Sequence, residues 1–166
     1  MQERNDTVRD WSAGGFHVSL PNDRQILMTR SFGAARALVF EAWTRPEHVS
    51  RWWDPAGTPL QTCDIDLRPG GRFRFVHQGG HEFAGVYEEI SAPECLVMRV
   101  DFAFGRSATS TLLFTDQGPR TGFAMTIDCA MREDRDRLLA MRVDEGTGRT
   151  LANLDRHVQS LDGEPT

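Results

Sequence analysis

The chain has 166 residues, of which 39% are hydrophobic and 26% charged, and carries a formal net charge of −5. That length suits a single domain with a sizeable core, and the acidic balance argues against a broad nucleic-acid footprint. No stretch approaches the roughly 20 apolar residues of a membrane-spanning helix, and the opening MQERNDTVRDW lacks the apolar run of a signal peptide. All 19 basic residues are Arg, which we take as compositional bias without functional weight. Cys63, Cys95 and Cys129 are widely spaced, odd in number and set among strand-like residues. They are expected to be reduced, part-buried thiols of a cytoplasmic protein, and none belongs to a metal-binding spacing.

In chain order, residues 1–23 are polar with scattered Trp11, Phe16 and Val18, and are expected to be an irregular extension ahead of one domain spanning 24–162. Gln25 to Phe32 has the pattern of a first strand. Ala35, Leu38, Val39 and Ala42 recur at helical spacing, so Ala34 to Thr44 is expected to be an amphipathic helix. Pro46 opens a second short helix, since Pro fits a first helical turn, and Asp54-Pro55 with Gly57 ends it. From Leu60 the period changes to two: Cys63, Ile65 and Leu67, then Phe73 and Phe75 after Pro69-Gly70-Gly71, then Glu82 to Ile90 after Gln78-Gly79-Gly80. Leu96, Met98, Val100, Phe102 and Phe104 share one face of the next strand, Ala108 to Thr115 is Thr-rich, and Phe123, Met125 and Ile127 face one way on the last. Short turns between six such strands imply antiparallel hairpins. Leu138, Leu139, Met141, Leu151, Leu154, Val158 and Leu161 then return to helical offsets, interrupted by Gly146 and Gly148.

The order strand, two helices, six strands, long helix predicts an α+β fold in which one long helix covers the apolar face of an antiparallel sheet. Only the C-terminal helix is long enough to cross such a sheet. The segments PEHVSRWWDPAG, DLRPGGRFRF and EFAGVYEEISAPECLV, with Gly118-Pro119-Arg120-Thr121-Gly122 before the last strand, resemble the family related to the activator of heat-shock-protein-90 ATPase. That family lies in the SRPBCC superfamily, with the START lipid-transfer domains and the birch-pollen allergen. The likeness runs from about Arg24 to Leu161, and its specificity comes from the ordered set Trp52-Trp53, Arg68-Pro69-Gly70-Gly71 and Gly85. It implies a helix-grip fold: a curved sheet of six or seven strands around the terminal helix, with an apolar cavity between them. Family members often carry an aromatic after a Gly near the start of that helix, where this chain has Gly146-Thr147-Gly148. A small side chain at Thr147 enlarges or opens such a cavity.

Trp52 and Trp53 point about 100° apart on a helix, so one enters the core and the other is available to a cavity mouth. Phe73, Phe75, Phe83, Met98, Phe102, Phe114, Phe123 and Met125 make a strand set richer in Phe and Met than an aliphatic core, and with Thr147 and Leu151 they are the candidate ligand contacts. His77 and His81 flank Gly79-Gly80, but no third ligand is near in sequence, so a solvent-facing hairpin is expected rather than a metal site. Arg68 to Arg72 lacks the Lys-Ser/Thr and following helix of a phosphate loop and is expected to be a hairpin turn. Glu88 and Glu89 are strand neighbours facing opposite ways. An inward Glu89 beside Tyr87 would be a candidate general base; the competing expectation is a pair with Arg74 or Arg99. The mixed-charge run Arg132 to Arg137 has the pattern of a solvated helix start.

These patterns favour a module that binds a small hydrophobic molecule, lipid-like or aromatic, without a cofactor. The alternatives are a cyclase or dehydratase in the same cavity, with Glu89, Tyr87 or His77 as its polar groups, and a co-chaperone acting on a heat-shock-protein-90 ATPase. The last is weakened because full co-chaperones of that kind carry a further large N-terminal domain. Exposed sheet or helix surfaces of the fold also allow a homodimer.

Overall fold

Strict alternation of side chains turns Ile26, Met28, Arg30 and Phe32 to the inside of the strand Gln25–Phe32. In the computed structural model, which describes residues 9–11 and 15–162, this strand is the third of nine. The chain ends, including the closing Glu164-Pro165, lie outside the described residues. Strands β1 (Arg9–Trp11), β2 (Phe16–Ser19) and β3 (Gln25–Phe32) are followed by α1 (Arg36–Thr44) and α2 (Pro46–Trp52). Next come β4 (Thr62–Ile65), β5 (Arg72–Val76), β6 (Glu82–Ser91), β7 (Cys95–Asp101), β8 (Ser107–Gln117) and β9 (Arg120–Cys129), then α3 (Arg132–Ala140) and α4 (Val143–Asp162). The sheet is antiparallel throughout in the order β1-β2-β3-β9-β8-β7-β6-β5-β4. The result is the expected α+β helix-grip arrangement, with more strands than the six or seven anticipated.

The extra strands come from the segment expected to be irregular. Phe16 and Val18 are buried, and β2 pairs with β3 from His17↔Thr29 to Ser19↔Leu27. Two apolar residues at period two are too few to reveal a strand without its partner. The terminal helix also differs from expectation. It breaks at Arg142, not at the glycines: Arg142 sits at φ 62°, where the left-handed backbone ends α3, and α4 then runs unbroken through Gly146 and Gly148. The charged run on α3 is a docking face as well as a solvated one. Asp134 is buried and accepts a 2.7 Å bond from Arg106 Nε, and Arg135 donates to the carbonyl of Asn22 at 2.7 Å.

The glycines quoted above have separate steric duties. Gly70, at φ +86°, makes the β4–β5 turn and donates to the Tyr87 carbonyl at 2.7 Å. At Gly85 a Cβ would lie 2.1 Å from the Arg99 carbonyl oxygen and 2.6 Å from the Phe73 ring. Strand β6 can therefore approach β7 and carry the Phe73 ring only where no side chain intervenes.

Helix α4 is pinned along its C-terminal half. Leu151, Leu154 and Val158 lie at offsets of three and four and are wholly buried. Asp155 accepts a bond from Arg30 Nη2 of β3 at 2.9 Å and another from the backbone N–H of Gly33 at 2.9 Å. His157 lies against His48 of α2, ring nitrogens 2.9 Å apart. Burial, then the neighbouring His48 and Arg51, hold the His157 pKa below its ordinary value.

Four substitutions test these contacts through stability. Gly85→Ala should lower it by about 2–3 kcal/mol in urea melts, because a backbone carbonyl must move. Gly79→Ala, whose Cβ meets nothing within 4 Å, should change it by less than about 0.5 kcal/mol. Asp155→Ala should cost about 2–3 kcal/mol by stranding the buried Arg30 guanidinium. Because the folded His157 binds its proton more weakly than the unfolded chain does, its neutral form contributes stability that is lost as pH falls through the ordinary His range. His157→Gln should flatten that acid limb in melts taken across it.

Candidate functional site

The N-terminal half of α4 does not close on the sheet. Gly148 touches the sheet side through Phe16, whose ring carbons would be 3.0 and 3.1 Å from an added Cβ, whereas a Cβ at Gly146 would meet nothing within 4 Å. The space left is a cavity of about 510 Å³. Its walls are Phe83 of β6, Met98 and Val100 of β7, Ser110 of β8, and Met125 and Ile127 of β9, with Phe102 beyond β7. Val143, Gly146, Thr147, Thr150 and Leu151 of α4 form the roof, Trp43 of α1 the inner end, and Trp53, Pro55, His77, His81, Met141 and Arg142 complete the lining.

Of the candidate ligand contacts, Trp53, Phe83, Met98, Phe102, Met125, Thr147 and Leu151 line this cavity. Trp52, Phe73, Phe75, Phe114 and Phe123 do not. Trp52 is the member of its pair that enters the core, donating its indole N–H to the Ala42 carbonyl at 3.0 Å. Phe73 and Phe75 are buried behind Phe83, their ring centroids 5.7 and 5.8 Å from it. Phe114 and Phe123 pack around Trp43, with Phe123 stacked on it at 5.6 Å. These rings make a packed aromatic layer behind the lining. Trp43 itself escaped the sequence reading, although it follows Val39 by four residues on one helix face.

The candidate acid–base groups separate sharply. Tyr87 is buried away from the cavity, its phenol raised above the ordinary value by burial and then by Cys63. Glu89 is exposed, and so is Glu88. A β-bulge between Tyr87 and Glu89 breaks the alternation, so an inward Tyr87 does not bring Glu89 with it. The alternative pairing of Glu89 also fails, because Arg74 pairs with Glu82 at 2.7 Å and Arg99 with Asp101 at 3.6 Å. Of these three candidates, Glu89, Tyr87 and His77, it is His77 that reaches the cavity. Its hairpin is docked rather than free in solvent: His77 Nδ1 lies 3.1 Å from Asp54 Oδ2, and Gln78 Nε2 donates to the Pro59 carbonyl at 3.1 Å.

Asp54 belongs to a loop that α4 holds. Thr150 Oγ1 donates to the Trp53 carbonyl at 3.0 Å and Asn153 Nδ2 to the Asp54 carbonyl at 2.9 Å, so side chains of α4 bond to the carbonyls just beyond the end of α2. Burial raises the Asp54 carboxyl, but the Ala56 N–H and the His77 ring outweigh it and hold the group below its ordinary value. The cysteines lie outside the lining. Burial, followed by the Asp64 and Glu47 charges, pushes the Cys63 thiol up to about 12. No group of three potential metal ligands occurs among the described residues, and no helix among them is long and apolar enough to cross a membrane.

Several solved structures share this fold. A Rhodobacter sphaeroides protein aligns with a TM-score of 0.79 at 21% identity, covering 88% of this chain and 99% of its own. A Nitrosomonas europaea protein gives 0.76 at 19% identity, over 87% of this chain and 100% of its own. Protein Ms6760 from Mycobacterium smegmatis gives 0.72 at 20% identity, over 93% and 99%. Comparison with curated proteins yields no match. The family model described as activator of Hsp90 ATPase homolog 1-like protein matches residues 33–159, from the start of α1 nearly to the end of α4. The chain therefore belongs to the activator of Hsp90 ATPase homolog 1-like family.

Proposed function

We propose that this protein binds a small, mainly apolar molecule in the cavity between the central strands and the N-terminal half of α4. One observation carries the reading: about 510 Å³ of space inside the fold, walled by Trp, Phe, Met and aliphatic side chains with few polar groups among them. That volume falls in the usual range of about 300–1,000 Å³ for small-molecule sites. Met98 and Met125 give the wall adaptable surface, while the aromatic layer behind it fixes the outline. An aromatic or lipid-like guest of two or three rings, or the equivalent in chain length, matches the size and the chemistry.

Native mass spectrometry of the protein purified from its own host should show a retained small molecule. In vitro, the uncharged fluorophore N-phenyl-1-naphthylamine should bind and gain emission. Gly146→Phe projects a ring into the open space while replacing a helix glycine. It should weaken the fluorophore at least tenfold and leave the protein as stable as the parent or more so, the gain over Gly being up to about 1 kcal/mol. Unchanged fluorophore binding by a folded Gly146→Phe protein would remove the cavity as the binding site.

A further inference from the structure

The lining is mainly apolar, and one of its polar stretches lies where the β5–β6 hairpin meets the loop after α2. There His77 forms part of the wall, with its Nδ1 3.1 Å from Asp54 Oδ2 and its ring centroid 6.2 Å from that of His81. Asp54 is itself fixed twice: its other carboxylate oxygen accepts the Ala56 N–H at 2.8 Å, and its carbonyl accepts from Asn153 of α4 at 2.9 Å. The imidazole is therefore held in one orientation from outside the cavity.

Chemistry settles what such a ring offers. An ionised carboxylate only accepts hydrogen bonds, so the proton in the contact with Asp54 sits on Nδ1. In the neutral imidazole this leaves Nε2 as a bare acceptor. Nε2 makes no hydrogen bond among the described residues. An acceptor set among mainly apolar side chains discriminates, because a guest that brings no donor displaces water from it and returns nothing.

We infer that His77, oriented by Asp54, is the polar anchor of the cavity and selects guests whose apolar body ends in a hydroxyl donor. This rests on the proposed binding of an apolar guest and adds the chemical class of its polar end. In the bound state the guest's O–H donates to His77 Nε2 while its rings or chain lie along Trp53, Phe83 and Met98. Asp54 is a positioning residue that does not touch the guest.

The test uses the full chain and two naphthalene probes that differ only at the proposed contact: 2-naphthol, with its hydroxyl, and 2-methoxynaphthalene, in which a methyl group caps it. In mildly alkaline buffer the protein should bind 2-naphthol about tenfold more tightly, the size expected for one well-made hydrogen bond. His77→Phe keeps a flat ring and removes the acceptor. It should reduce that preference to less than about twofold, and continued binding of 2-methoxynaphthalene by the variant shows that the cavity is intact. Bound 2-naphthol, a photoacid, should show naphtholate emission in the parent and lose it in His77→Phe. Equal affinity for both probes in the parent would overturn the anchor and leave the apolar site standing. A tenfold preference that survives in His77→Phe would also overturn it, assigning the acceptor elsewhere. If neither probe binds at its solubility limit, apolar-guest binding fails and the anchor fails with it. If His77→Phe does not fold, the contrast between the two probes and the naphtholate emission of the parent decide the question.

Discussion

Everything in this structure depends on how α4 is fastened. Its C-terminal half is locked to β3 by the Arg30–Asp155 pair and the Gly33 N–H, over a wholly buried Leu151-Leu154-Val158 stripe. Its N-terminal half meets the sheet side closely at Gly148, against Phe16, and stands clear at Gly146. A helix fixed at one end and propped at the other cannot settle onto the sheet beneath it. The open space is thus a consequence of where the polar locks and the two glycines fall along one helix. As a dry void, 510 Å³ would cost on the order of 12 kcal/mol at about 24 cal/mol per Å³. That rivals the whole net stability of a domain. The space is therefore one that solvent or a guest occupies, and an apolar guest gains most from displacing solvent there.

The same helix sets the polar end of the cavity. Thr150 and Leu151 are adjacent on α4, yet one donates to the Trp53 carbonyl and the other lies in the hydrophobic stripe, and both contribute to the roof. Thr150 and Asn153 together fix the loop that carries Trp53 and Asp54. Asp54 in turn holds His77 on a different hairpin. Aromatic wall and imidazole are thus tied to one element, so a shift of α4 alters the size of the cavity and the placement of its polar group together.

Much of the fold was legible because hydrophobic period and turn residues agree over long segments. Strand β3 alternates without a fault, Pro46 opens α2, and Pro69-Gly70-Gly71 turns the chain into β5. What was not legible has physical reasons. Strands β1 and β2 are short and take their character from pairing with β3. The break between α3 and α4 falls at an Arg, while the glycines that suggested an interruption sit inside the helix, where one permits contact with Phe16 and the other faces open space. The β6 bulge removed Glu89 from consideration by changing which way a strand residue points, and no composition rule marks a bulge of that kind. Sorting lining from filler was beyond the pattern altogether. Period two tells which face of a strand is inward, and Phe73, Phe75 and Phe83 are all inward on neighbouring strands. Which of them meets the cavity depends on the distance to α4, a tertiary quantity.

The glycine requirements connect the family resemblance to the site. With no Cβ at Gly85, β6 can lie against the Arg99 carbonyl while the Phe73 ring occupies the space a side chain would take. The bulge two residues later changes the register with β7 between Tyr87 and Glu89. A strand that carries a ring-covered glycine and a bulge in close succession is predisposed to bend and twist. Strand β6 supplies Phe83 to the lining just before this point and Tyr87 to the core just after it. A Gly85 side chain would push β6 and β7 apart and displace the Phe73 ring that backs Phe83, so the position that governs strand spacing also governs the stiffness of the wall. Sequence features that serve as family markers here are thus the steric conditions for keeping a rigid surface opposite a helix that does not close upon it.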